Sequence, residues 1–159
     1  MNDDTTSDFS FQLLTEAYMD LVAEAEKEAY PEAWTTRELR MEMENPRAYF
    51  FLMFHDNELV GYAGFWDMVD EAHVTRVTIL PSFRKRGFAR PLMQRLFEEA
   101  LEWGLDKIRL EVREHNYRAI LLYLSLGFRP VAYRMGYYRR TDENALEMIK
   151  EFDFPQNTL

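Results

Sequence analysis

The sequence predicts a mixed α/β (α+β) domain, a sheet flanked by helices, on three observations. An apolar, β-branched run, Val77-Thr78-Ile79-Leu80, passes through a short basic loop holding Gly87 into a helical pattern. Lys107–Arg113 alternates apolar and charged residues and is followed by a second helical stretch, Tyr117 to Leu126, closed by Gly127. Between residues 48 and 80, strand-length apolar runs are separated by turn residues at Asp56-Asn57 and Asp70-Glu71.

Taken in order, Phe9 to Leu13 reads as a first strand. Thr15 to Tyr30 reads as a helix, with Tyr18, Leu21, Val22, Ala25 and Ala29 at helical spacing and Pro31 at its end. Thr36 is placed to cap a second helix running through Met43 and stopping at Asn45-Pro46. Ala48 to Phe54, Leu59 to Trp66 and Val74 to Leu80 read as strands. The helix after Gly87 puts Leu92, Met93, Leu96, Phe97, Ala100 and Leu101 on one face, tolerates Pro91 in its first turn and ends at Gly104. Phe128 to Tyr138 and Ala145 to Phe152 are expected to pair around a polar loop. At 159 residues, without an internal repeat or linker, one domain is expected over residues 9–153, preceded by a flexible tail at 1–8.

Composition narrows the chemistry. There is no cysteine, so disulfides, thiolate metal sites and a cysteine nucleophile are excluded. The three histidines show no metal-ligand spacing, and no metal is expected. The net charge of -9 disfavours nucleic acid and suits a cationic partner. No apolar run is long enough to span a membrane, and the acidic opening residues lack the basic start and apolar run of a signal peptide, so a cytoplasmic location is expected. Oligomeric state is left open between monomer and dimer. Against this acidic background, Arg84, Lys85, Arg86 and Arg90 cluster where a strand feeds a helix. Free backbone N–H groups in such a place present themselves to an anion, and the cluster suggests a bound polyphosphate.

Arg84-x-x-Gly87-x-Ala89 after a strand resembles the pyrophosphate loop of the GNAT N-acetyltransferases, which bind acetyl-CoA. The more specific core Asn116-x-x-Ala119-Ile120-x-Leu122-Tyr123-x-x-x-Gly127-Phe128, preceded by Leu110-Glu111-Val112-Arg113, is similar to the second half of the same fold. Arg134-Met135-Gly136-Tyr137-Tyr138, with Ala145-Leu146-Glu147-Met148 downstream, narrows the likeness to the ribosomal-protein-alanine N-acetyltransferases. The resemblance covers residues 58 to 150 well. It implies a mostly antiparallel central sheet whose central strands splay apart, and acetyl transfer from acetyl-CoA to a primary amine by direct attack. The implied acceptor is the N-terminal alanine of a small-subunit ribosomal protein, a basic tail. Two other readings stand beside it: a small-amine acetyltransferase acting on a polyamine or antibiotic, and a non-catalytic acyl-CoA-binding module.

The resemblance also assigns residues. Glu111 becomes the general base, where its strand position alone reads as a solvated carboxylate paired with a neighbouring arginine. Tyr123 becomes the acid that protonates the leaving thiolate, where its helical position alone reads as a core tyrosine. Asn116 caps a helix and also contacts the pantetheine arm. Val77, Thr78 and Ile79 run their backbone along that arm, freed by a bulge. Lys85, Arg86, Gly87, Phe88, Ala89 and Arg90 hold the pyrophosphate, with Gly87 admitting a close approach. Tyr137 and Tyr138 line the acceptor site, or else pack an edge strand. Two departures from the family pattern border the implied acceptor groove. Arg139-Arg140 follow the tyrosine pair, where proline is common, and two extra residues separate Pro31 from Trp34.

Overall fold

The computed structural model of the chain describes residues 9–152. The tail expected at residues 1–8, and residue 153 at the expected domain end, lie outside the described residues. Among these residues, seven strands and four α-helices follow in the order β1 (Phe9–Leu13), α1 (Met19–Ala29), α2 (Thr36–Glu44), β2 (Ala48–His55), β3 (Glu58–Asp67), β4 (Glu71–Ile79), α3 (Ala89–Glu102), β5 (Lys107–Arg113), α4 (Tyr117–Ser125), β6 (Arg129–Tyr138) and β7 (Glu143–Glu151). Short 3₁₀ turns, Glu16–Tyr18 and Pro81–Phe83, precede α1 and follow β4. The strands form one mixed sheet in the order β1-β2-β3-β4-β5-β7-β6. Pairing is antiparallel for β1 with β2, β5 with β7 and β6 with β7, and parallel for β4 with β5 over Glu71–Lys107, Ala72–Ile108 and His73–Arg109. No helix among the described residues is long and apolar enough to cross a membrane.

Two compact units divide the chain. Among the described residues, one takes in Phe9–Phe65 together with Arg76–Leu96; the other takes in Trp66–Thr75 and Phe97–Phe152. In the first unit, β2 is a continuous apolar run, and Phe50 to Met53 are all buried. A strand buried on both faces has this near-continuous character. Its core joins Val22 of α1, Leu39 of α2, Leu52, Tyr62 and Leu80. β3 and β4 approach closely at Gly61. A Cβ added there would stand 2.5 Å from the Thr78 carbonyl oxygen, closer than any side chain tolerates, so only glycine fits. The Asp56-Asn57 turn between β2 and β3 has positive φ at both residues (49° and 65°), as a two-residue hairpin loop matched to strand twist requires.

The second unit is built on the alternation of β5. Ile108, Leu110 and Val112 are buried, while Arg109, Glu111 and Arg113 occupy the other face. Tyr123 of α4, Phe128 and Met148 are buried in the same unit, with Phe97 of α3 against Phe128.

Two local expectations need correction. The cap of α2 is Thr35, not Thr36. Its hydroxyl accepts from the Glu38 N–H at 3.2 Å, and the Glu38 carboxylate accepts from the Thr35 N–H at 2.7 Å. Thr35 stands three residues before a glutamate, the spacing a reciprocal capping box needs, whereas Thr36 stands three before Leu39. On α1, Leu21 is exposed, and the inward face is completed by Glu26, which is fully buried.

Candidate active site

The basic loop begins where β4 ends. Lys85 and Gly87 both take positive φ, 65° and 79°, which turns the chain sharply before α3 opens at Ala89. Space within the protein does not explain the glycine, since an added Cβ at Gly87 meets nothing within 4 Å. Its backbone angle does, because L-residues with side chains rarely sit there. Arg84, Lys85, Arg86 and Arg90 are exposed. Arg84 ties the loop back to the strand by donating from Nε to the Ile79 carbonyl at 3.0 Å. The Arg86 guanidinium lies 5.7 Å from the centre of the Phe83 ring. Phe88 turns inward against Phe9 and His55, with ring centroids 5.2 and 5.1 Å away, and so anchors the loop. This strand, tight basic turn and helix start form a cradle whose chemistry fits a pyrophosphate.

Along β4, Thr78 is buried and its hydroxyl is 2.6 Å from the Tyr30 hydroxyl, which also donates to the Val77 carbonyl at 3.3 Å. Burial raises the Tyr30 hydroxyl above the usual tyrosine range. Beside it lies a charged cluster that sequence reasoning missed. The Glu26 carboxylate accepts from Arg76 Nη2 at 2.7 Å, from the Trp34 N–H at 2.9 Å and from the Tyr62 hydroxyl. Arg76 also sits over the rings of Tyr30 and Trp34, 4.0 and 4.4 Å from their centres. Burial and the Glu26 charge both push the Tyr62 hydroxyl up strongly. Buried charges persist only when paired in this way, and removing one partner costs about 3–5 kcal/mol. The sequence signal was a glutamate inside the apolar stripe of α1.

In the second unit, Glu111 is not a solvated carboxylate with an arginine partner. Its side chain is 8% exposed, and its two oxygens lie 2.8 and 3.0 Å from His73 Nε2. His73 pairs in register with Arg109, two residues before Glu111, so parallel pairing of β4 with β5 brings the two together. In the sequence His73 is one of three scattered histidines, and nothing local marks it. Across β7, Glu111 is in register with Glu147, which is buried and held by Arg109 and by Arg134 Nε, the latter at 3.0 Å. Arg109 also grips Glu71 at 3.0 Å. Two adjacent carboxylates are thereby separated in role: one is neutralised by arginines, the other is left to a histidine.

Tyr137 and Tyr138 meet edge to face, 5.0 Å between ring centres. Burial and the nearby Glu111 charge raise the Tyr137 hydroxyl. Burial pushes the Tyr138 hydroxyl up to about 12, although the Arg113 guanidinium, 3.9 Å from the centre of its ring, pulls the other way. Asn116 caps α4, its Oδ1 accepting from the Ala119 N–H at 3.3 Å. Tyr123, two turns along α4, is buried, with its ring edge-on to Phe128 at 5.5 Å. Among the described residues no group of three or more histidine, aspartate or glutamate side chains is arranged to hold a metal ion.

Residues 16–128 match the model of the acetyltransferase (GNAT) family. A Bacillus subtilis (strain 168) protein, provisionally assigned as a ribosomal protein bS18-alanine N-acetyltransferase, is 33% identical over 131 residues, spanning 82% of this chain and 87% of that protein. The ribosomal protein bS18-alanine N-acetyltransferase of Escherichia coli (strain K12) is 33% identical over 100 residues, covering 62% of this chain and 68% of that protein. The crystal structure of the ribosomal-protein-S18-alanine N-acetyltransferase from Escherichia coli superposes with a TM-score of 0.84 at 24% identity, over 95% of this chain and 98% of that one.

Proposed function

We propose that this chain, which belongs to the acetyltransferase (GNAT) family, acetylates the N-terminal alanine of a small-subunit ribosomal protein in the cytoplasm, with residues 9–153 working as one catalytic domain. As in that family, the acetyl donor is acetyl-CoA, which supplies an electrophilic thioester carbonyl and carries the thiolate away. The observation that carries the chemistry is Glu111, a nearly buried carboxylate bonded to a histidine on the polar face of β5. The acceptor comes from the relatives, whose names agree on one substrate class over most of this chain.

In this reading the main-chain amides of residues 85–90 and the start of α3 hold the pyrophosphate, with Arg84 fixing the loop to β4. The backbone of Val77, Thr78 and Ile79 lies along the pantetheine. Thr78 spends its hydroxyl on Tyr30 and so offers its main chain. Asn116 adds a polar contact beyond its cap. Glu111 takes a proton from the acceptor's ammonium, directly or through water, so that the neutral amine attacks the thioester carbonyl; the C–N bond forms, the C–S bond breaks, and Tyr123 gives a proton to the departing sulfur. Tyr137 and Tyr138 flank the acceptor.

The test is mass spectrometry of a basic, alanine-starting peptide incubated with acetyl-CoA and either wild type or Glu111→Gln. Acetylation of the α-amine by wild type is expected. In the variant, kcat should fall about 10²- to 10⁴-fold with acetyl-CoA affinity within about twofold. Turnover of free polyamines alone removes the proposed acceptor, and wild-type turnover by Glu111→Gln removes the proposed base.

A further inference from the structure

We infer that Asn144 is a positioning residue that sets the acceptor side of the site, an inference that rests on the function proposed above. The registers of β6 and β7 show why one is needed. Arg134 pairs with Ala145 and Tyr138 with Glu143, so three residues of β6 stand opposite the single residue Asn144. The ladder is broken from Met135 to Tyr137, the first of the tyrosine pair, with Gly136 at φ 61° inside the break. A bulge leaves main-chain groups unpaired and lets the strand slide.

Asn144 closes that break and extends it to another element. Its Oδ1 accepts from the Gly136 N–H at 2.7 Å. Its Nδ2 donates to Glu114 Oε1 at 3.0 Å and to the Tyr133 hydroxyl at 2.8 Å. Its own carbonyl accepts from the Glu114 N–H at 3.0 Å. Tyr133 completes the ring by donating to the second oxygen of Glu114. Glu114 lies in the turn two residues before the Asn116 cap. One amide side chain therefore joins the strand that carries Tyr137 and Tyr138 to the turn that starts α4. An amide is required because it must accept on one side and donate on the other.

The consequence is a fixed place for Tyr137, whose hydroxyl already senses the Glu111 charge. Without Asn144, the residues between Arg134 and Tyr138 are free to re-register. The tyrosine pair then moves, while the phosphate-binding loop, on a different part of the chain, does not. A displacement of about 1 Å at such a position costs up to about a hundredfold in turnover.

The experiment compares Asn144→Ala and Asn144→Asp with wild type, using the alanine-starting peptide and acetyl-CoA as probes. In Asn144→Ala the peptide KM should rise about tenfold or more, with the acetyl-CoA Kd within about twofold. Asn144→Asp keeps the acceptor for Gly136 but sets a carboxylate against Glu114, and should lose as much. Adding Glu114→Gln to Asn144→Asp restores a donor facing an acceptor and should return peptide KM to within about threefold of wild type. A folded Asn144→Ala with wild-type peptide KM overturns the inference, as does an equal loss of acetyl-CoA affinity. A crystal structure of Asn144→Ala reads the same claim without activity: Tyr137 should be displaced, and an unmoved tyrosine pair also overturns it. Failure of the wild-type chain to acetylate the peptide counts instead against the proposed function.

Discussion

Glu111 and His73 are 38 residues apart in the chain and share a hydrogen bond at the heart of the proposed chemistry. A carboxylate with so little exposure needs a partner, because burying an unpaired charge is costly. An arginine in that place would hold the charge permanently and blunt its appetite for a proton. Here the arginines are spent on the neighbouring Glu147, and Glu111 is left with the imidazole of His73. His73→Ala should lower kcat/KM about ten- to hundredfold, the worth of one hydrogen bond to a charged group. His73→Gln, which keeps an N–H donor, should recover most of it. Two variants with the same steady-state constants as wild type would show that the histidine is only a neighbour. The motif around Glu111, Asn116 and Tyr123 was legible because its residues lie on one strand and one helix. His73 was not, because only parallel pairing of two strands, with α3 between them in sequence, carries it to the carboxylate.

At the level of single elements, periodicity gave nearly every boundary, since alternation and helical spacing are local properties. The errors came where a neighbour decides. Thr35 and Thr36 differ only in what stands three residues on, and the capping box selects Thr35. Thr35→Ala should cost about 1 kcal/mol, seen as a lower urea midpoint at unchanged slope; no shift would show that the box is not formed in solution. The burial of Glu26 in place of Leu21 follows from Arg76, Tyr62 and Trp34, which arrive from three other segments. That β7 runs between β5 and β6 is equally nonlocal. Gly61 shows how a strand constraint reaches the site. Gly61→Ala puts a methyl group against the Thr78 carbonyl, so β4 must shift at the stretch assigned to pantetheine. We expect about 1–3 kcal/mol of destabilisation together with weaker acetyl-CoA binding, from denaturation and calorimetry on the same protein. Loss of stability with unchanged affinity would place pantetheine elsewhere.

Over the whole molecule, charge and tyrosine burial set how the fold responds to pH. The chain carries 28 acidic against 19 basic residues, so the cationic loop after β4 is a local exception in a negative field. That contrast favours an anionic cosubstrate at the loop. Tyr30, Tyr62, Tyr133, Tyr137 and Tyr138 have hydroxyls raised above the ordinary value. Burial is the leading cause for all but Tyr133, whose bond to the Glu114 carboxylate dominates. A group whose proton is held more tightly in the folded state contributes stability that is present in full below its unfolded pKa and lost as pH rises through its folded pKa. For Tyr138 that window runs from about 10, the value of an unfolded tyrosine, to about 12. Below pH 10 its hydroxyl stays neutral, so its ionisation has no part in any activity change between pH 7 and 9. The urea midpoint should therefore be insensitive to Tyr138 up to about pH 10 and fall beyond it. In Tyr138→Phe the fall above pH 10 should be shallower, because one of the protons that the folded state holds more tightly is gone. Parallel midpoint curves for the two proteins between pH 10 and 12 would mean that Tyr138 is not packed beneath Arg113 in solution, and that this end of β6 has a different register there.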